Sequence, residues 1–366
     1  KQLTWTSKCS NLLKVPEEPP EDTGVRFPDL LDEANLFEWA GVSFGKGELY
    51  RLYLSIKKLS ESLPGEVERL RLFGKIHTRG LPYFIVEGVT PEDEKGIDET
   101  LQEGKAGANK YTYWVTQHLE EAHWTKLPNV TMYQICAARQ FKRILTGNLD
   151  APVPSYPPFE GVEQHLLRAL IARIVGATSI SPDGFFDLDE EDPPQVKPAE
   201  AEAMAERFPK PSSELKDAEA WKHHEPDLNK LGRVQAMPEQ LDENGEPVEV
   251  EDPVEASPLL DAIKPEIWTF RSCPGGAGTA ASSAVVARSL QWPGAVAVAA
   301  GRRFVNVYVG FAVPYEGPKP YSPPLPAPLQ KEWEAPPDDE GAALIEQPDV
   351  REDPTPPRPE GEEDED

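Results

Sequence analysis

The best-spaced candidate for chemistry is Gly41–Gly45, GVSFG, which fits the G-x-S-x-G pattern around Ser43. A serine nucleophile of that kind sits on a strained turn that a strand enters and a helix leaves, with an Asp and a His completing the triad. Here the preceding residues, LLDEANLFEWA, carry a helical pattern, and no Asp and His follow in a setting that assigns them those roles. The segment reads as a small-residue link between two helices, with a serine hydrolase acting through Ser43 as the alternative.

The other motifs fail on spacing. GVSFGKG suggests a phosphate-binding loop, but that loop needs four residues between its glycines and Ser or Thr after the lysine. This chain has Gly45 too early and Gly47 after Lys46. Gly275, Gly276 and Gly278 lack the strand–helix frame of a dinucleotide site. His223 and His224 are adjacent, so on a helix they diverge instead of converging on one metal, and His77, His118, His123 and His165 stand singly. Asn129-Val130-Thr131 matches a glycosylation sequon without other signs of secretion, and the acidic runs lack calcium-loop spacing. No catalytic, cofactor or metal site is assigned.

Composition points the same way. The chain has 366 residues, of which 39% are hydrophobic and 40 are proline, with a formal net charge of -27. Apolar residues fall in blocks separated by acidic, proline-rich stretches, so a moderate core interrupted by extended or disordered segments is expected. Such an acidic balance argues against nucleic acid and anionic membranes as partners and favours basic protein surfaces. Cys9, Cys136 and Cys273 are odd in number and far apart, which predicts a reduced, cytosolic chain. The longest apolar run, Ala295–Ala300, is too short to span a bilayer. The chain opens at Lys1 and not at Met, so a segment upstream is expected.

The elements follow from periodicity. Asp29 offers an N-cap to LLDEANLFEWA, and Gly41 ends that helix. A second helix from Glu48 places Leu49, Leu52, Ile56, Leu59 and Leu63 on one face, up to Pro64. The period then changes to two: Leu70–Ile76 and YFIVEGV flank a turn as a hairpin, and GANKYTYWVTQ adds a strand. Thr90–Gly107 reads as an acidic insertion with little order. TMYQICAARQFKRIL and GVEQHLLRALIARIV read as helices, the first capped by Gly147. AEAEAMAERF and SELKDAEAWKHH read as weak helices, and Glu225–Val254 as acidic linker. SSAVVARSLQW, AVAVAA and FVNVYVGFA are strands, the last with Val305, Val307, Val309 and Phe311 on a buried face.

Between the two middle helices lies Thr146–Gly161, TGNLDAPVPSYPPFEG. Pro152, Pro154, Pro157 and Pro158 stiffen it, because each fixes its own φ and pushes its predecessor toward extended geometry. Tyr156 and Phe159 give this strut apolar anchors. A second proline strip, Pro314–Pro337, carries Tyr315, Tyr321 and Trp333 in expected polyproline II geometry. Candidate subunit contacts are therefore Tyr156, Pro157, Pro158, Phe159, Tyr321 and Trp333. A proline-rich adaptor whose Pro314–Pro328 strip is read by SH3 or WW modules is a further reading.

Several long strings in one order resemble the radial spoke head protein four/six family of ciliary and flagellar axonemes. They are DLLDEANLFEWAGVSFGKGELYRLYLSIKKL, FGKI with YFIVEGV, GANKYTYWV, ARQFKRILTGNLDAPVPSYPPFEG through HLLRALIARIVGATSISPDGFF, IWTFR, LQWPGAVAVAAGRRFVNVYVGF and YSPPLPAP. The resemblance covers residue 29 to about residue 330. It implies a non-enzymatic subunit of the spoke head that helps assemble the head and transmit mechanical signals between central pair and dynein arms. Implied partners are a paralogous head subunit in a homo- or heterodimer, radial spoke head protein nine, other head subunits and central-pair projections.

The expected fold class is α+β, with helices and antiparallel hairpins separated by proline-rich and acidic segments. The expected organisation is an acidic arm over 1–28 and a first core part over 29–186. A linker with short helices follows over 187–256, then a β-rich second core part over 257–313 and a proline-rich, acidic end over 314–366.

Overall fold

The computed structural model describes residues 25–27, 30–42, 44–90, 102–189, 195–237, 254–273 and 284–315. Helix α1 spans Leu30–Ala40. Its end is built by Gly41, whose φ of 70° suits glycine. The Gly41 N–H donates to Glu38 O and the Val42 N–H to Phe37 O, satisfying two last-turn carbonyls. The expected cap at Asp29 lies outside the described residues, as does Ser43. Helix α2, Lys46–Glu61, buries Leu49, Leu52, Ile56 and Leu59 at helical spacing, and Pro64 follows its end.

Strands β1 (Arg69–Ile76), β2 (Tyr83–Val89), β3 (Thr112–Thr116) and β4 (Thr125–Lys126) form an antiparallel meander. Helix α3 is Met132–Gln140 and helix α4 is Glu163–Thr178. Small elements follow: β5 (Ile180–Pro182), β6 (Phe186–Asp189), β7 (Gln195–Pro198), α5 (Ala201–Arg207) and β8 (Trp221–His223). The chain returns as β9 (Trp268–Cys273), β10 (Ala284–Ser289), β11 (Ala295–Ala300) and β12 (Arg303–Gly310). Among the described residues five helices and a mixed sheet make the fold α+β.

Both β regions share that sheet, in the order β4-β3-β2-β1-β12-β11-β10-β9. The joint, β1 against β12, is the one parallel pairing between the described strands, with Gly74 opposite Tyr308. Gly74 is obligatory there. Its φ is 148°, and a Cβ would lie 1.9 Å from Tyr308 O.

The sheet is covered on both faces. α1 and α2 seal one face over Leu72, Val86, Trp114, Val296 and Val305. α3 and α4 seal the other over Ile76, Ile85, Tyr113 and Val115. Trp221 and Trp268 cap a third cluster over β10 and β11. The alternation of Tyr113 and Trp114 thus serves two cores instead of a core and solvent.

Four expectations change. α3 stops at Gln140, well before Gly147, because Phe141 turns extended and Leu145 buries completely beside the β1–β2 turn. There Arg79 N–H donates to Leu145 O and Gly80 N–H to Thr146 O. The segment SELKDAEAWKHH forms two short 3-10 turns and β8, because Trp221 is drawn fully inside, its Nε1–H donating to Leu215 O at 2.9 Å. Phe311 is half exposed, since β12 ends at Gly310 and Ala312 adopts a left-handed φ of 54°.

The fourth change concerns acids read as solvated. Glu103 is buried and accepts from Ala108 N–H, Val234 N–H and Gln235 N–H. Arg233, with no exposed surface, lies 3.9 Å from it. Glu225 is buried too, taking Lys110 Nζ at 2.8 Å and the Tyr111 hydroxyl. Parts of the expected insertion and linker are therefore interior.

Candidate interaction surface

The strut Thr146–Gly161 is fixed from below by one carboxylate. Glu163, at the start of α4, is buried and accepts four hydrogen bonds. They come from Tyr83 Oη at 2.9 Å, Thr146 N at 2.7 Å, Thr146 Oγ1 at 2.7 Å and Gly147 N at 2.8 Å. Burial and this carboxylate together push the Tyr83 phenol far above its ordinary range, so it stays a neutral donor. A carboxylate inside a core is tolerated when its oxygens are filled in this way.

The rest of the strut is clamped from several sides. Pro152 pairs with Val162 as an antiparallel bridge. Arg143 donates to Pro154 O at 3.1 Å and Gln134 Nε2 to Glu160 O at 3.1 Å. Gln134 is held in turn by a capping box with Thr131 at the start of α3, a T-x-x-Q signal readable in sequence. Ser155 Oγ donates to Pro157 O at 2.9 Å, across a cis Tyr156–Pro157 bond.

This clamping divides the two aromatic anchors. Phe159 is only 8% exposed and meets Phe141 edge-to-face at 6.1 Å, so its ring serves the chain's own core. Tyr156 is 91% exposed, the most exposed large apolar side chain among the described residues. Pro158 is exposed beside it and Pro157 half-buried. Leu81, Ile144 and Phe311 are further exposed apolar side chains. Tyr321 and Trp333 lie outside the described residues.

A separate cavity of about 420 Å³ lies behind the sheet, lined by Tyr111, Tyr113, Lys110, His224, Glu225 and Val175 among others. Lys110 holds Glu225, and nearby Arg71 grips Glu87 through two bonds of 3.1 Å while Tyr113 donates to the same carboxylate. Burial, then Glu225, raises Tyr111, and burial, then Glu87, raises Tyr113, so both phenols stay protonated. His224 stacks on Phe186 at 5.1 Å, and burial with nearby Arg71 and Lys110 pushes its pKa well down. Among the described residues no group of His, Cys, Asp and Glu gathers as metal ligands, and no helix is long and apolar enough to cross a membrane.

The family described as radial spokehead-like protein matches residues 5–105 and 100–356. Radial spoke head protein 6 homolog A of Homo sapiens is 31% identical over 389 residues, covering 88% of this chain and 54% of that protein. Radial spoke head protein 4 homolog A of Homo sapiens is 32% identical over 370 residues, covering 85% and 51%. The flagellar radial spoke protein 4 of Chlamydomonas reinhardtii is 31% identical over 353 residues, covering 87% and 73%. The chain belongs to the radial spoke head family. It spans about half the length of the two human relatives. These relatives are named for the radial spoke, two of them for its head and one for the flagellum.

Proposed function

We propose that this chain acts as a non-catalytic scaffold of the spoke head, helping to assemble the head and to pass mechanical load between central pair and dynein arms. Its partners in this reading are a paralogous head subunit, radial spoke head protein nine and other head subunits, with central-pair projections beyond them. In this reading the segments 29–186 and 257–313 act as one core, with Trp221, Glu225 and Arg233 of the intervening linker built into it. The observation that supports this is the clamped strut. Glu163, Gln134 and Arg143 hold it rigid and Phe159 roots it, while Tyr156 stands almost wholly in solvent. An aromatic presented on a pre-ordered backbone loses little entropy when a partner covers it, which is how anchor residues gain their weight.

The division of labour predicts two different phenotypes. Tyr156→Ala keeps the melting temperature of the chain and lowers spoke-head incorporation in axonemes by roughly tenfold, the effect of about 1.4 kcal/mol at a contact. Phe159→Ala instead destabilises the chain itself by about 3–5 kcal/mol. Wild-type incorporation of folded Tyr156→Ala overturns the contact, and crosslinking mass spectrometry on isolated axonemes tests the partner set directly.

A further inference from the structure

The acidic residues of this chain are unevenly spread. The sequence holds 64 Asp and Glu, yet none falls between Glu266 and Glu316, a stretch that contains β9 to β12 along with Arg271, Arg288, Arg302 and Arg303. This half of the sheet is locally basic on a strongly acidic protein. Its outer edge is β9, six residues long, whereas the opposite edge, β4, has only two. A long edge strand is a template for another strand unless something covers it.

The register shows which groups of β9 are open. β9 and β10 pair antiparallel, with Trp268 opposite Ser289 and Thr269 opposite Arg288. One step before, the Leu290 N–H donates to Ile267 O at 2.8 Å, which makes that a hydrogen-bonded pair. Hydrogen-bonded and open pairs alternate along an antiparallel ladder. Thr269, Arg271 and Cys273 therefore bond to β10, while the N–H and C=O of Trp268, Phe270 and Ser272 point away from the sheet. The Trp268 N–H closes the preceding turn on Pro265 O, and no described residue bonds to the outward groups of Phe270 and Ser272.

The side chains set the requirement on an occupant. On one face Phe270 meets Trp221 at 6.0 Å above the small third core, leaving an apolar shelf. On the other, Thr269 and Arg271 are exposed, and Cys273 Sγ donates to Trp39 O at the end of α1. Among the described residues Arg271 forms no ion pair. An added strand would meet an apolar surface on one side and an unpaired guanidinium on the other.

We propose that β9 is a docking edge that another spoke-head subunit extends with an acidic strand, its apolar residues over Phe270 and its carboxylates beside Arg271. The main-chain bonds of such strand addition supply affinity, and the alternating faces supply selectivity. The partner class rests on the spoke-head reading; the edge itself does not.

The test exploits the parity of the ladder. A labelled synthetic peptide of alternating Val and Glu is titrated against the full chain, with an alternating Val and Lys peptide beside it. The Glu peptide binds and the Lys peptide does not. Ser272→Pro removes one outward N–H, which an edge strand tolerates. It keeps the melting temperature and weakens the Glu peptide by roughly tenfold. Arg271→Glu also folds and loses binding, while Arg271→Pro, whose N–H feeds β10, lowers the melting temperature. Absence of Glu-peptide binding, equal binding of both peptides, or wild-type affinity in Ser272→Pro overturns the edge. In cilia, wild-type chain that enters the spoke head while Ser272→Pro enters equally well overturns the edge alone. Wild-type chain found elsewhere overturns the spoke-head reading instead.

Discussion

The two halves of the eight-stranded sheet reach stability by different chemistry. Around β1 to β4 the interior holds Glu87, Glu103, Glu163 and Glu225, each buried and each filled with donors. Across the joint, β10 and β11 bury alanines and valines, Ala284 to Ala287 and Ala295 to Ala299, with no carboxylate. Directional bonds fix one half, since a buried acid tolerates few arrangements that keep it satisfied. Close contact between small side chains fixes the other, and there geometry is enforced by lack of space.

The largest effect comes from breaking the joint. Gly74→Ala forces a Cβ onto Tyr308 O, and a loss of more than about 4 kcal/mol is expected, seen as absence of a cooperative melt. A retained transition would show that the halves need not be joined through this pairing.

Next comes a direct contrast between the halves. Glu163→Ala orphans the Tyr83 hydroxyl and the N–H groups of Thr146 and Gly147 and costs about 3–5 kcal/mol, at ~1–3 per orphan with partial rescue by water. Val298→Ala, in the apolar half, leaves a small cavity and costs about 2 kcal/mol. Denaturant titration of both variants measures the gap, and equal losses would erase the distinction.

The smallest effect is a pH dependence confined to the charged half. Burial lowers His223, and lowers His224 further, so the folded chain binds fewer protons than the unfolded chain in mild acid. Their stabilising effect is full above about pH 6.5 and falls as pH drops below it, by at most about 1.4 kcal/mol per unit for each histidine. His224→Phe should shrink the drop in urea midpoint between about pH 7 and pH 5. An unchanged slope would place the proton-linked loss elsewhere.

What was legible in the sequence had a local cause. Leu49 to Leu59 at helical steps, the two hairpins and the long apolar face of α4 each carry their own period. The joint of β1 with β12 has no local signal, because its partners meet only in three dimensions. Glu103 and Glu225 looked solvated because composition says nothing about the donors that await them. The strut was legible as rigid from its prolines, but its lack of a period hid that Phe159 turns inward and Tyr156 outward. The open edge of β9 needed the register, and the acid-free stretch that surrounds it was visible in the residues alone.

The parallel pairing of β1 with β12 also sets an order of events during synthesis. β1 leaves the ribosome long before β12, and β2 to β4 can zip onto only one of its sides. Until Arg303–Gly310 emerges, the Gly74–Ile76 end of β1 lacks its partner on the side that will become the middle of the sheet. Non-local strand pairings of this kind close late and leave sticky intermediates. The chain is thus expected to depend on chaperone shielding for most of its translation, and a truncation before β12 should aggregate instead of folding as a half.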